Sequence, residues 1–355
     1  MGADDALVVP VIDISPFVAA AAAAASSTID AKEDLQEQCN ETAKEWDQAM
    51  STVGFALIVG HGVDPSTIEN LRKGLRSFFE DQSIDYKSGF LYGPYGGPKG
   101  GYTAVGGEAV SRSQDGHGGT EEDAEAMADP VESYICRHKD NDPFASPSSP
   151  TPPQPPEFEN AAAEYYSEMR RVLDCLHRMS ENALGLPHEY LEPFYTPRPN
   201  GYVVAKYYPA VPNPKNPLRY GAHTDYIGYT ILKQDDLDGE PSAAGGGLQV
   251  WLKGTNEWKP VVPRQDAFAV NLGDLYEDWT NGRWTSAVHR VVAPTPGSEA
   301  AQTPRLSIPF FAGPDDDAMI ETFPTCLPTN GEMPRLTSPI RSGDHLMRKL
   351  QATQV

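Results

Sequence analysis

Three residues offer metal-ligating chemistry: His223 and Asp225, separated by one residue, and His289, sixty-four positions beyond the aspartate. Two imidazoles and one carboxylate on one face of a metal suit non-haem Fe(II) and leave adjacent positions open for oxygen chemistry. The chain has 8 histidines, so a single His-x-Asp match carries little by itself. Its surroundings give it weight. In a strand, residues i and i+2 point to the same face, so His223 and Asp225 would project into one cavity with Thr224 turned away. Tyr229-Thr230-Ile231-Leu232 and the run Ser286-Ala287-Val288-His289-Arg290-Val291-Val292 both read as strands, being rich in β-branched residues.

A second group follows in Arg305-Leu306-Ser307-Ile308-Pro309-Phe310-Phe311. The same alternation puts Arg305 and Ser307 on one face and Leu306, Ile308 and Phe310 on the other. A planar guanidinium beside a hydroxyl is a good carboxylate receptor, because it can donate two parallel hydrogen bonds. Iron ligands and a carboxylate receptor on neighbouring strands describe a metal site that works with a dicarboxylate co-substrate.

These residues sit in an ordered series of motifs. Val9-Pro10-Val11-Ile12-Asp13-Ile14 opens it, followed by Val53-Gly54-Phe55-Ala56-Leu57-Ile58-Val59-Gly60-His61-Gly62-Val63, Ser77-Phe78-Phe79, and Gly93-Pro94-Tyr95-Gly96 through Gly101-Tyr102-Thr103. Tyr207-Tyr208-Pro209, Ala222-His223-Thr224-Asp225, Gly247-Leu248-Gln249-Val250, Asn271-Leu272-Gly273-Asp274, Thr280-Asn281-Gly282 and His289-Arg290-Val291 complete it. In order and spacing, over most of its length, the chain resembles the isopenicillin N synthase-like branch of the Fe(II)/2-oxoglutarate-dependent dioxygenases.

The resemblance implies that His223, Asp225 and His289 ligate iron. It implies that Arg305 and Ser307 bind the distal carboxylate of 2-oxoglutarate, with a phenol hydrogen bond from Tyr208. Tyr207 points to the opposite face from Tyr208, and a register one residue off would exchange the two. Three protein ligands leave three sites on an octahedral metal, two for the 2-oxo acid and one for O2. Oxidative decarboxylation then yields succinate, CO2 and an oxidant that abstracts a substrate hydrogen. Hydroxylation, desaturation and ring closure are all open after that step. Asp225 in place of Ala or Gly argues against halide transfer. Where the family usually has Asn two residues before the tyrosine, this chain has Lys206, which would pair with an acidic substrate or co-substrate or extend to water.

Candidate substrate contacts are Lys206, Tyr102, Tyr134 and Arg137, with aromatic packing within a sheet as the competing role for the two tyrosines. Lys206 and Arg137 would suit a carboxylate-bearing, amino-acid-like metabolite such as a kainoid precursor. Two other readings compete: an oxidase of the same fold that consumes no 2-oxoglutarate, and a catalytically silent binding or sensor protein. His61, in a tight Gly-His-Gly turn, reads as structural. His117, His138, His177, His188 and His345 have no ligand-like spacing and read as surface or helix residues.

At 355 residues the chain is long enough for one large core, and we expect a single catalytic domain over 1–355. Its architecture would be mainly β with flanking helices: a distorted double-stranded β-helix (jelly-roll) over 200–312 carrying the iron site, a helix-rich part over 1–190 and a tail over 313–355. Helices are expected over 31–50, 68–79, 158–184 and 341–350, and loops over 106–129, 143–157, 235–247 and 295–303. The 143–157 loop is proline-rich. A net charge of −22 argues against nucleic acid, whose binding needs clustered Lys and Arg. Four widely spaced cysteines without a CxxC, no basic leader and no long apolar run point to a cytoplasmic protein without a membrane span. The sequence leaves the oligomeric state open.

Overall fold

A computed structural model of the chain describes residues 9–23, 29–91, 101–108, 129–136, 154–196, 200–214, 216–235 and 246–353. Arg137, His117 and His138, and most of the 106–129, 143–157 and 235–247 segments, lie outside the described residues.

Fourteen strands are described: β1 Val11–Asp13, β2 Phe55–Val59, β3 Tyr102–Thr103, β4 Glu132–Cys136, β5 Asn200–Tyr208, β6 Leu218–His223, β7 Tyr229–Gln234, β8 Gly247–Leu252, β9 Glu257–Pro260, β10 Phe268–Leu272, β11 His289–Val292, β12 Arg305–Gly313, β13 Met319–Ile320 and β14 Ile340–Arg341. Eight form a major sheet in the order β1-β2-β10-β7-β12-β5-β4-β3, and four form a minor sheet, β6-β11-β8-β9. β13 and β14 pair separately. The two larger sheets make the double-stranded β-helix, with helices against the outer face of the major sheet.

Alternation along each strand divides the apolar residues between two cores. On the outer face Tyr207, Ile231, Val270, Leu306, Ile308 and Phe310 pack with residues from the helices Ile29–Thr52 and Glu159–Leu184. On the inner face Phe55, Leu57, Tyr208 and Ala269 meet Leu248, Val250 and Val291 of the minor sheet. Ser180 ties the outer layer together, its oxygen accepting from Trp46 Nε1 at 3.1 Å and from the Tyr229 hydroxyl at 2.8 Å.

The long helix buries Tyr165, Met169, Val172, Leu176 and Met179, the stripe its spacing predicts. It stops at Gly185, whose φ of +67° places it in the left-handed region, with its N–H capping the Asn182 carbonyl. The helix expected over 68–79 begins earlier, at Pro65, because the Asp64 side chain caps Ser66 N; it runs as α-helix to Arg76 and then as one π turn, Ser77–Asp81. The 295–303 loop contains a short helix, Glu299–Gln302, started by Ser298, whose side chain accepts from Ala301 N. Among the described residues no helix is long and apolar enough to cross a membrane. The four cysteines are free thiols.

Candidate active site

His223 closes β6 and His289 opens β11, and the two are directly paired across the minor sheet, their ring centroids 4.2 Å apart. Each imidazole is oriented by its own backbone. Nδ1 of His223 lies 2.9 Å from the Gly221 carbonyl and Nδ1 of His289 lies 3.0 Å from the Ala287 carbonyl. A carbonyl can only accept, so Nδ1 of each ring carries the proton and Nε2 keeps its lone pair for a metal. Phe55 packs edge-on against His289 at 5.3 Å.

Asp225 is placed differently from the strand-borne neighbour that the i, i+2 rule predicts. β6 ends at His223, so Asp225 lies in the following turn and is fixed by bonds to other elements. Its carbonyl accepts from Asp274 N at 2.9 Å. Its Oδ2 accepts from Thr230 Oγ1 at 2.5 Å and from Asn271 Nδ2 at 2.6 Å. Oδ1 is left facing the histidines, 3.9 Å from His223 Nε2 and 3.8 Å from His289 Nε2. One ligand atom from each residue lies within 4.8 Å of the others, and all three residues are buried. Burial, with His289 beside it, pushes the His223 pKa down to about 3, so the ring is neutral as a ligand must be. Burial alone would raise the Asp225 pKa, but the attraction of His289 and His223 in their protonated forms and the two donors on Oδ2 hold it below the usual carboxylate value. Neutral imidazoles and an ionised carboxylate are the donor set that Fe(II) takes.

Beyond this triad the inner face carries Arg305, Ser307 and Tyr208. Arg305 and Ser307 are both buried there, and Arg305 is paired directly with Tyr208 across β12 and β5. Tyr207, on the other face, stacks on Phe79 at 5.0 Å, so the register puts Tyr208 and not Tyr207 beside Arg305. Arg305 Nη2 donates to Gln234 Oε1 at 2.9 Å, while its Nη1 is buried without a hydrogen-bond partner among the described residues. A buried guanidinium nitrogen with nothing to donate to is costly, and a carboxylate from a ligand would satisfy it.

Lys206 shares the inner face with Tyr208. Its ammonium is bound to the Glu108 carboxylate, which also accepts from the hydroxyls of Ser133 and Tyr220. The ammonium lies 5.0 Å over the Tyr220 ring, and that ring packs edge-on to His223 at 5.1 Å. This polar cluster therefore borders the triad. Tyr102 and Tyr134 are elsewhere. They pair across β3 and β4 on the outer face, where Tyr134 packs against Phe158 at 5.0 Å and the Tyr102 hydroxyl donates to Glu132 at 2.6 Å. The sheet separates them from Lys206, so neither faces the triad. His61 is structural as expected, its Nδ1 accepting from Val63 N and its ring packing on Phe268.

Sequence reasoning assigned no role to Thr230, Asn271, Glu108 or Arg219. Asn271 belongs to the Asn271-Leu272-Gly273-Asp274 motif, but its pairing with Thr230 follows from strand register. Glu108 and Arg219 carried no local signal.

The comparisons agree with this geometry. Residues 9–139 match the family model for the N-terminal region of non-haem dioxygenases of morphine synthesis, and residues 199–314 match that of the 2OG-Fe(II) oxygenase superfamily. A naringenin,2-oxoglutarate 3-dioxygenase of Matthiola incana is 29% identical over 90% of this chain and 79% of its own length. Homoarginine-6-hydroxylase 2-ODD-C23 of Glycine max is 28% identical over 89% of this chain and 88% of its own. Among solved structures, a full-length Neurospora crassa protein in complex with alpha-KG and thymine superposes with a TM-score of 0.75 at 28% identity, covering 98% of both chains. The chain belongs to the Fe(II)/2-oxoglutarate-dependent dioxygenases. It is a non-haem iron enzyme that uses Fe(II) and 2-oxoglutarate, which sets aside the silent-sensor reading.

Proposed function

We propose that His223, Asp225 and His289 hold Fe(II), that Arg305, Ser307 and Tyr208 hold 2-oxoglutarate, and that the enzyme oxidises a C–H bond of a small polar molecule placed beside Lys206 and Glu108. The observation that carries the metal assignment is the division of labour in the triad. Each Nδ1 and the Asp225 Oδ2 is occupied by protein, and the remaining three donor atoms converge within 4.8 Å. When bound, iron and 2-oxoglutarate supply an oxidant made from O2, with release of succinate and CO2. The chain positions and insulates. Thr230 and Asn271 keep Asp225 ionised and aimed, Arg305 anchors a carboxylate on the inner face, and the apolar residues Phe55, Leu248 and Val250 line the inner core.

For the substrate, the charge on Lys206 decides between classes. A polycarboxylate such as a kainoid precursor would need that charge free, but the ammonium is already neutralised by Glu108. The pair offers one donor and one acceptor with no net charge, which suits a neutral amide-like or zwitterionic molecule better. One solved relative is consistent with this class, the Neurospora crassa structure that holds thymine, a neutral cyclic imide. The test is a metabolite screen of neutral heterocyclic amides, amino acids and polycarboxylates, reading substrate-dependent succinate release under saturating Fe(II) and 2-oxoglutarate. Turnover confined to polycarboxylates would sink the substrate class. Substrate oxidation without 2-oxoglutarate consumption would sink the co-substrate assignment in favour of the oxidase alternative.

A further inference from the structure

Arg219 is the unexplained charge of the inner face. On β6 the pairing runs His223 with His289, Tyr220 with Val291 and Leu218 with Val292, so two register shifts fall within four residues and Arg219 is left as an extra residue between paired neighbours. Such a bulge re-aims a side chain out of the ladder. Here the side chain is turned inward and is 6% exposed, with its guanidinium carbon 6.0 Å from the centroid of the Tyr208 ring. Tyr208 is in turn the direct cross-strand partner of Arg305.

Two guanidinium groups therefore flank one phenol. Each has a buried nitrogen without a hydrogen-bond partner among the described residues, Nη2 in Arg219 and Nη1 in Arg305. Arg305 at least donates to Gln234, and Asp235 adds some compensation to its charge. For Arg219 the charged neighbour is Arg305 itself; burial and that like charge push its pKa down to about 10. Buried cations are normally paired, because an isolated one loses its hydration without recompense. Two buried guanidiniums beside one phenol, each with an unused donor, make a receptor for an anion.

We propose that Arg219 is a second co-substrate-binding residue, clamping the distal carboxylate of 2-oxoglutarate together with Arg305. The inference rests on the placement of 2-oxoglutarate proposed above and adds a residue to it. The carboxylate would supply the acceptors both guanidiniums lack and relieve their mutual repulsion, so part of the binding free energy comes from the unfavourable ligand-free state. Succinate keeps the same distal carboxylate and would be held by the same clamp. A 2-oxo acid without that carboxylate, 2-oxopentanoate, would not feel Arg219.

The experiment measures binding by calorimetry on protein loaded with Mn(II) in place of iron, so that no turnover is needed, for wild type, Arg219→Met and Arg219→Lys. Expected is a loss of at least tenfold in affinity for 2-oxoglutarate and for succinate in Arg219→Met, no change for 2-oxopentanoate, and partial retention in Arg219→Lys. The ligand-free Arg219→Met protein should be at least as heat-stable as wild type, while its stabilisation by 2-oxoglutarate shrinks. A purely structural arginine would do the opposite. Equal 2-oxoglutarate affinity in wild type and Arg219→Met, an equal loss for both 2-oxo acids, or failure of Arg219→Met to fold would each overturn the proposal. Failure of the wild type to bind 2-oxoglutarate would instead overturn the underlying assignment of Arg305, Ser307 and Tyr208, and the clamp with it.

Discussion

Thr230 and Asn271 face each other across β7 and β10, and both donate to one atom, Oδ2 of Asp225, at 2.5 Å and 2.6 Å. The pairing turns a turn-borne carboxylate into a rigid ligand, because two donors from a sheet fix which oxygen faces the histidines. Outer-shell donors of this kind commonly change metal affinity about 10–100-fold when removed. Thr230→Val and Asn271→Leu should each weaken Fe(II) binding within that range, and the double variant should lose more than the product of the two because the remaining donor carries more in each single. Anaerobic Fe(II) titration checks it. Wild-type affinity in the double variant would show that Asp225 needs no such support.

His177 gives a prediction about pH. It is buried in the long helix with its ring 4.2 Å from that of Tyr195, and burial together with Arg170 pushes its pKa down to about 3. An unfolded histidine titrates near 6.5. Above that pH the residue is neutral in both states and contributes no pH dependence. Between about 6.5 and 3 the unfolded chain binds a proton that the folded one does not, so stability falls as pH falls, by up to ~1.4 kcal/mol per pH unit from this residue. His177→Phe keeps a ring against Tyr195 and removes the titration. Denaturation curves at pH 7, 6 and 5 should show a shallower decline in the variant; parallel declines would mean that His177 is protonated without unfolding.

Tyr102 and Tyr134, candidates for either substrate contact or aromatic packing within a sheet, pack behind the sheet. The Tyr102 hydroxyl shares Glu132 with Lys87, whose ammonium reaches Glu132 at 2.7 Å and the Phe79 carbonyl at 3.2 Å. Tyr102→Phe removes one of two donors from a buried carboxylate, a loss of about 1.5–3 kcal/mol for a hydrogen bond to a charged group. Thermal unfolding should move accordingly, with KM and kcat within twofold of wild type. A raised KM at unchanged stability would return Tyr102 to the substrate side.

Which face each of these residues takes is a matter of range. The alternation of Arg305, Leu306, Ser307 and Ile308 fixes their faces relative to one another, and the apolar member of each pair must turn to the core. Nothing local says which face of β3 or β4 meets the minor sheet; that depends on the pairing of Tyr134 with Ala205 and of Ser133 with Lys206. Asp225 lies outside its strand, held by Thr230 five residues on and by Asn271 and Asp274, which come from distant sequence. Arg219 was hidden by a bulge, which leaves no periodic signature. The helix Glu299–Gln302 is too short for one.

The Lys206–Glu108 pair yields the prediction closest to function. Burial would raise the Glu108 pKa, yet Lys206 and the hydroxyls of Ser133 and Tyr220 keep it below the usual value, so the ion pair is the resting state. Lys206→Met leaves a carboxylate stranded beside the triad and Glu108→Gln leaves an ammonium there, whereas the double variant strands neither. The double should therefore be more stable than the sum of the singles predicts, by a coupling on the order of 1–3 kcal/mol. If the pair also receives substrate, both singles should raise KM for the molecule identified in the screen with a smaller effect on kcat, the signature of lost ground-state binding. They should diverge by charge: Glu108→Gln should improve binding of carboxylate-bearing analogues, and Lys206→Met should worsen it. Strong coupling in stability with no change in KM for any analogue would confine the pair to holding Glu108 and β5 together, and the substrate would have to be recognised by other residues.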